Sequence, residues 1–112
     1  MTRNHPPTTG YRDDLLDDLR AEPDYAIGYL NAALHEGHEA FLVALKDVVD
    51  ARLGMTGLSE QAELNREALY RALSEEGNPR LSTLERVLAA LGLHLAVVSE
   101  PADRVRRLDE PA

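Results

Sequence analysis

Apolar residues recur at helical spacing in six segments of the chain, and glycines and prolines separate these segments. Apolar side chains three and four positions apart share one face of a helix and predict that this face is buried. Pro23 fits the start of a helix, whereas Gly37, Gly54 and Gly92 fit helix ends. The predicted helices span residues 13–20, 24–35, 39–53, 58–64, 66–74 and 82–91. The pattern therefore predicts an all-α fold.

The buried faces of these helices are predicted to be aliphatic, since the chain has no Trp and one Phe. In the third helix, Lys46, Asp47, Asp50 and Arg52 are expected on the exposed face. In the last helix, Ser82 and Glu85 are spaced as a capping box. The predicted core positions are Leu15, Leu16, Leu19, Tyr25, Tyr29, Leu30, Ala33, Leu34, Leu42, Leu45, Val48, Val49, Leu84, Val87, Leu88 and Leu91.

Residues 93–99 are predicted to form one short C-terminal strand, because the run LHLAVV is rich in apolar and β-branched residues and Pro101 follows it. A lone strand in a helical chain needs a partner. It would pair with a second copy in a dimer or with a strand of another protein.

Two short helices and a tight turn between residues 55 and 92 predict a helix-turn-helix. Asn65 is placed to cap the second helix. The turn position that favours positive φ, where glycine is common, is occupied by Glu63. The residues expected to face the core are Leu58, Ala62, Leu64, Leu69, Ala72 and Leu73.

The outward face of the motif's second helix, residues 66–74, is predicted to enter the DNA major groove. Arg pairs with guanine, Asn with adenine, and Glu accepts from cytosine. The expected groove residues are Asn65, Arg66, Glu67, Tyr70, Arg71 and Ser74. Three further residues are expected to meet phosphates, two on the first helix and one in the following loop, namely Ser59, Gln61 and Arg80.

The formal net charge of −8 opposes a broadly basic DNA-binding surface. Residues 1–54 hold 5 Lys/Arg and 10 Asp/Glu, a net charge of −5, and residues 55–112 hold 7 Arg and 10 Asp/Glu, a net charge of −3. The second half is thus less acidic, and its positive charge is all Arg, which suits bidentate contacts. The acidic first half is either a solvated surface or a surface for a basic partner.

The sequence gives little support to an enzymatic or a metal-binding function. The spacing of His35 and His38 is not that of a zinc protease, and Gly37 interrupts the helix between them. The acidic residues of 13–18 lack the pattern of a calcium loop. No Gly-rich phosphate loop or Ser-His-acid context is present, and no stretch is apolar enough to span a membrane. We expect a cytoplasmic protein that is not an enzyme and has no cofactor or metal.

The chain resembles the addiction-module antidote family, antitoxins with an Xre-like helix-turn-helix, over roughly residues 11–100. The block LNREALYRALSEEGNPRLSTL, residues 64–84, carries the most specific part of the resemblance, and YLNAAL and AFLVAL add to it. The resemblance implies a lambda-repressor-like domain of five to six helices. It also implies a homodimer that binds a palindromic operator and neutralises a RelE/ParE-like (HigB-type) toxin.

These expectations divide the chain into a flexible segment (1–11), N-terminal helices (12–54), a helix-turn-helix core (55–92), a strand (93–99) and a flexible tail (100–112), with 12–99 as a single domain. Three functions remain open at this point. The protein is an antitoxin and repressor, a DNA-binding regulator without a toxin, or a protein-interaction module that has lost DNA binding.

Overall fold

The computed structural model describes residues 10–74 and 76–100. Over this part of the chain the secondary structure is entirely helical. The six helices are α1 (Tyr11–Ala21), α2 (Pro23–Glu36), α3 (His38–Arg52), α4 (Gly54–Ala62), α5 (Arg66–Ala72) and α6 (Leu81–Ala90). The all-α prediction is confirmed, and each predicted helix has an observed counterpart.

Two helix starts differ from their prediction. Helix α4 begins at Gly54 rather than near residue 58, because Gly54 adopts φ +72° and lets the chain turn directly out of α3. Helix α6 begins at Leu81, one residue before the predicted cap. Arg80 occupies the N-cap position without a side-chain cap bond. The prediction of a capping box formed by Ser82 and Glu85 is therefore wrong.

Helix α3 lies at the centre of the fold. It packs against α1 and α2 on one side and against α4 on the other, and α4 in turn packs against α5 and α6. The largest fully buried side chains come from five of the six helices and from the end of α5. They are Leu19, Leu42, Leu45, Leu58, Leu69, Leu73, Val48, Val49 and Val87. One aliphatic core therefore continues from the N-terminal helices to α6.

The buried face of α2 is rotated from its predicted position. Ala26, Leu30 and Ala33 are buried, whereas Tyr25 is 43% exposed and Leu34 is 49% exposed. The predicted burial of Tyr25 and Leu34 is thus wrong. Small side chains at positions 26 and 33 let α2 approach its neighbours closely, and this close approach places the larger residues at the edge of the contact.

Asp47 was expected on the exposed face of α3 but is 6% exposed. The Arg12 guanidinium donates to Asp47 Oδ1 at 2.7 Å, and the Tyr29 hydroxyl donates to Oδ2 at 2.7 Å. This carboxylate therefore joins α1, α2 and α3. Burial raises the pKa of Tyr29, and the hydrogen bond to Asp47 raises it further. The same carboxylate raises the pKa of Arg12 through their hydrogen bond.

The predicted strand at residues 93–99 is not seen. These residues have no regular secondary structure, and Val97 and Val98 are exposed. A strand requires a partner for its backbone groups, and the single chain supplies none in its described part. The predicted flexible termini fall mostly on residues 1–9 and 101–112, which lie outside the described residues. None of the helices in the described part is long and apolar enough to cross a membrane.

Candidate nucleic-acid interface

Helices α4 and α5 are joined by a three-residue turn and pack through their apolar faces. Leu58 and Ala62 of α4 are buried against Leu69, and Leu73 at the end of α5 is also buried. Leu64, in the turn, packs against the same cluster. Two short helices joined by a tight turn are therefore present, an arrangement compatible with the predicted helix-turn-helix.

The turn has the left-handed backbone predicted at Glu63. Glu63 adopts φ 56° and ψ 48°, and it is the one non-glycine residue with positive φ in the described part of the chain. The Leu64 N–H donates back to the Ser59 carbonyl at 3.1 Å, which closes the end of α4. The Ser59 hydroxyl donates to the Leu64 carbonyl. Because its one proton is used inside the turn, a phosphate contact from Ser59 requires this bond to break.

Asn65 caps α5 as predicted. Its side-chain Oδ1 accepts from the Ala68 N–H at 3.0 Å, and its backbone is extended. The cap satisfies a backbone donor at the helix start, and its removal typically costs about 1 kcal/mol. The structure thus gives Asn65 a role in forming the helix, and its contact with adenine remains a prediction.

The exposed face of α5 presents four of the predicted groove residues. Arg66, Glu67, Tyr70 and Arg71 are all exposed and lie within one side of this short helix. Neither arginine has an ion-pair partner among residues 10–74 and 76–100, and Arg80 beyond the loop also has none there. These guanidinium groups are therefore available to an external anion or base edge.

The other two predicted contacts lie away from this face or are already bonded. The Ser74 hydroxyl donates to the Arg71 carbonyl at 2.9 Å and so closes the end of α5. Gln61 is exposed and lines a shallow depression with Glu63 and Arg86, between α4 and α6. Its position next to α6 separates it from the outward face of α5.

Lys46 is a residue of this region that the sequence pattern did not single out. Its Nζ lies 5.9 Å from the centroid of the Tyr70 ring, within the range of a cation–π contact. The same Nζ donates to Asp50 Oδ2 at 3.0 Å. Lys46 therefore brings an ammonium group of α3, already paired with Asp50, beside Tyr70 of α5. Lys46 and Asp50 were expected together on the exposed face of the third helix, but nothing in the sequence indicated that Tyr70 would lie next to Lys46.

The loop after α5 is fixed by a close backbone approach at Gly77. A Cβ built on Gly77 would lie 2.2 Å from the Ala72 carbonyl oxygen and 2.7 Å from that of Arg71. His38 Nε2, at the start of α3, lies 2.7 Å from the Gly77 carbonyl and bonds to it. This loop leads to Arg80, so its anchoring also sets the position of that arginine.

The charge around the two helices is mixed. Between Gly54 and Gly92 the sequence has four arginines and six glutamates. Any DNA affinity must therefore come from a few specific contacts rather than from a broadly positive field. No group of three or more His, Cys, Asp or Glu side chains that could hold a metal ion occurs in the described residues.

Comparison with known proteins identifies relatives of this chain. A family model described as "Probable addiction module antidote protein" matches residues 12–99. An uncharacterized protein of Haemophilus influenzae strain Rd is 39% identical over 85 residues, which cover 75% of this chain and 86% of that protein. No solved structure matches.

Proposed function

The chain belongs to the probable addiction module antidote family, and from this premise we propose that it is the antitoxin of a type II toxin–antitoxin module. In this proposal it neutralises a small RelE/ParE-like toxin by direct binding in the cytoplasm. It also represses its own operon as a homodimer, through α4 and α5.

The observation that carries the repressor function is the exposed face of α5. Arg66 and Arg71 are exposed, without a described ion-pair partner, on a short helix that follows a tight turn. Arginine at such positions takes two acceptors of guanine in the major groove. In this proposal Tyr70 and Arg80 contact the sugar–phosphate backbone. Two copies bound to a palindromic operator would double these contacts.

The antitoxin function is supported by the acidic N-terminal helices. Residues 10–36 contain two arginines and seven acidic residues. A surface of this charge attracts a basic protein and speeds its association. Family membership implies a toxin partner, and an RNA-cleaving toxin with a basic surface would match this charge.

A mobility-shift assay on the DNA upstream of the gene tests the repressor function. Arg66→Ala and Arg71→Ala should each cost about 1–3 kcal/mol of operator binding, because each variant loses a base contact. Arg86→Ala is the matched control, since it removes the same charge from α6, and its affinity should stay near that of the wild type. Equal losses in all three variants would show that only net charge matters.

Co-expression with the adjacent reading frame tests the antitoxin function. The full chain should co-purify with that product and restore growth when the product is toxic. Arg66→Ala and Arg71→Ala should do both as well as the wild type, because they lie on α5. If neither variant neutralises the toxin, α5 belongs to the toxin-binding surface, and the assignment of separate surfaces is wrong.

In the proposed dimer, residues 93–99 of one copy would pair through their backbone with the same segment of the other copy. Val97→Pro removes one backbone donor from this segment. The variant should sediment as a monomer if two copies of the segment form a strand pair. A dimer that survives the substitution would place the dimer interface elsewhere.

A second candidate function is a protein-interaction module without DNA binding. The net charge of −8 favours it, because DNA repels an acidic chain. The same mobility-shift assay separates the two functions. A shift that weakens with salt supports the repressor, whereas no shift with or without the partner leaves only the protein-binding function.

A further inference from the structure

We propose that the groove between α2 and the N-terminal half of α3 is the toxin-binding surface, and that it accepts an apolar-striped helix of the toxin with flanking Lys or Arg residues. This inference rests on the proposed antitoxin function and adds the surface and the chemistry of its partner. The groove is open to solvent. The residues that line it include Tyr29, Ala32, Glu36, Ala40 and Val43.

The shape of the groove suits large apolar side chains from a partner. Ala32 and Ala40 contribute short side chains to its lining, and Tyr29 and Val43 contribute larger ones. Val43 is 39% exposed although it is apolar. Tyr25 stacks on Tyr29 next to the groove, with the ring centroids 6.4 Å apart. Helices that dock in grooves insert apolar side chains spaced by three and four residues.

The negative charge of α2 and the N-terminal half of α3 favours a basic partner. From Pro23 to Leu45 the chain contains no Lys or Arg, while Asp24, Glu36 and Glu39 are all exposed. Glu36 lines the groove itself. Lys or Arg residues that flank the apolar stripe of a bound helix would meet these carboxylates. Charged residues at the rim of an apolar contact fix its register and exclude other partners.

A second copy of this chain fits the groove poorly. In a symmetric contact each copy presents the same patch to the other, so the acidic surface around Glu36 would meet an equally acidic surface. Like charges placed opposite each other are unfavourable. A partner of opposite charge has no such cost, and under the proposed function that partner is the toxin.

The groove and the α5 face do not share residues. The groove uses α2 and residues 40–44 of α3, whereas the DNA-contacting side chains come from α5 and the loop after it. We therefore expect toxin in the groove to leave the side chains of α5 available to DNA.

Arginine substitutions inside and outside the groove test the inference, with the product of the adjacent reading frame as the binding probe. Ala32→Arg fills the groove and offsets the negative charge of Glu36, and Val43→Arg does the same from α3. Leu34→Arg is the matched control, because Leu34 is a 49% exposed apolar residue of α2 that does not line the groove. All three positions are exposed, so the variants should fold, and circular dichroism melting verifies this.

Each groove variant should weaken toxin binding by at least about tenfold, as expected at the centre of an interface, and the control should stay within about threefold. Equal weakening by all three variants would show a long-range charge effect and overturn the inference. Unchanged binding in both groove variants would also overturn it while leaving the antitoxin function intact. A wild-type chain that does not bind the probe at all contradicts the antitoxin function instead. Loss of a homodimer in Ala32→Arg would make the groove a self-interface and exclude the toxin from it.

Discussion

Replacing Glu63 with glycine should stabilise the protein, although the substitution removes a side chain. Glu63 adopts φ 56° and ψ 48° in the turn between α4 and α5. In that region Cβ crowds the following carbonyl oxygen, which costs a non-glycine residue about 1–2 kcal/mol. Glycine has no Cβ and adopts this conformation without that cost.

The net gain is smaller than the strain that is removed. Glycine also increases the freedom of the unfolded chain, which lowers stability by about 0.4–1 kcal/mol. The Glu63 side chain is exposed and has no hydrogen bond or ion pair to the described residues, so no contact is lost. The expected result is a rise of about 0.5–1 kcal/mol in the free energy of unfolding, or a few degrees in Tm.

Urea unfolding followed by circular dichroism measures this change, with two controls. Glu60→Gly makes the same substitution at an exposed position inside α4 and should lower the free energy of unfolding by about 1 kcal/mol. Glu63→Ala retains Cβ and should change stability by less than about 0.5 kcal/mol. If Glu63→Gly is as destabilising as Glu60→Gly, the left-handed turn is not strained, and the reasoning is refuted.

Three further predictions follow from the helices and their contacts. Gly77→Ala should lower the free energy of unfolding by about 1–3 kcal/mol in urea, because the new Cβ would overlap the Ala72 carbonyl; a smaller loss would show that the loop moves freely. Gly28→Ala should raise it by up to about 1 kcal/mol, since Gly28 is an exposed position of α2 at which a Cβ meets nothing within 4 Å, and a loss would contradict an open site. Burial and Asp47 raise the pKa of Tyr29. The stability that the neutral Tyr29 hydroxyl contributes is therefore complete below about pH 10 and lost at higher pH. The free energy of unfolding of Tyr29→Phe should therefore depend less on pH above about 10 than that of the wild type. An equally steep dependence in both proteins would exclude Tyr29 as its cause.

The sequence predicted local features well because short-range chemistry determines them. Gly37 and Gly54 mark helix boundaries through their backbone freedom, and both have positive φ. Asn65 caps α5 with its own side chain, and Glu63 takes the left-handed turn position between two helices. Each of these features depends on residues within four positions, so the sequence contains the information for it.

Features that depend on packing between helices were predicted poorly. Asp47 looks like a surface residue in its own helix, and its burial depends on Arg12 from α1, which lies 35 positions away. Lys46 lies near Tyr70 because α3 and α5 both pack against α4, and the long lysine side chain spans the remaining distance. The rotation of α2, which exposes Tyr25, likewise depends on which small residues face its neighbours.

The central position of α3 has a consequence for how the protein can be divided. Its Asp47 bonds to α1 and α2, its Lys46 lies against Tyr70, and its Val43 lines the groove. A fragment that lacks α3 would expose the residues that it buries, so neither proposed surface should survive in a truncated chain. We expect the helices to exchange amide hydrogens as one cooperative unit. Surface substitutions should therefore separate the proposed toxin binding from the proposed DNA binding. Dividing the chain into fragments should abolish both.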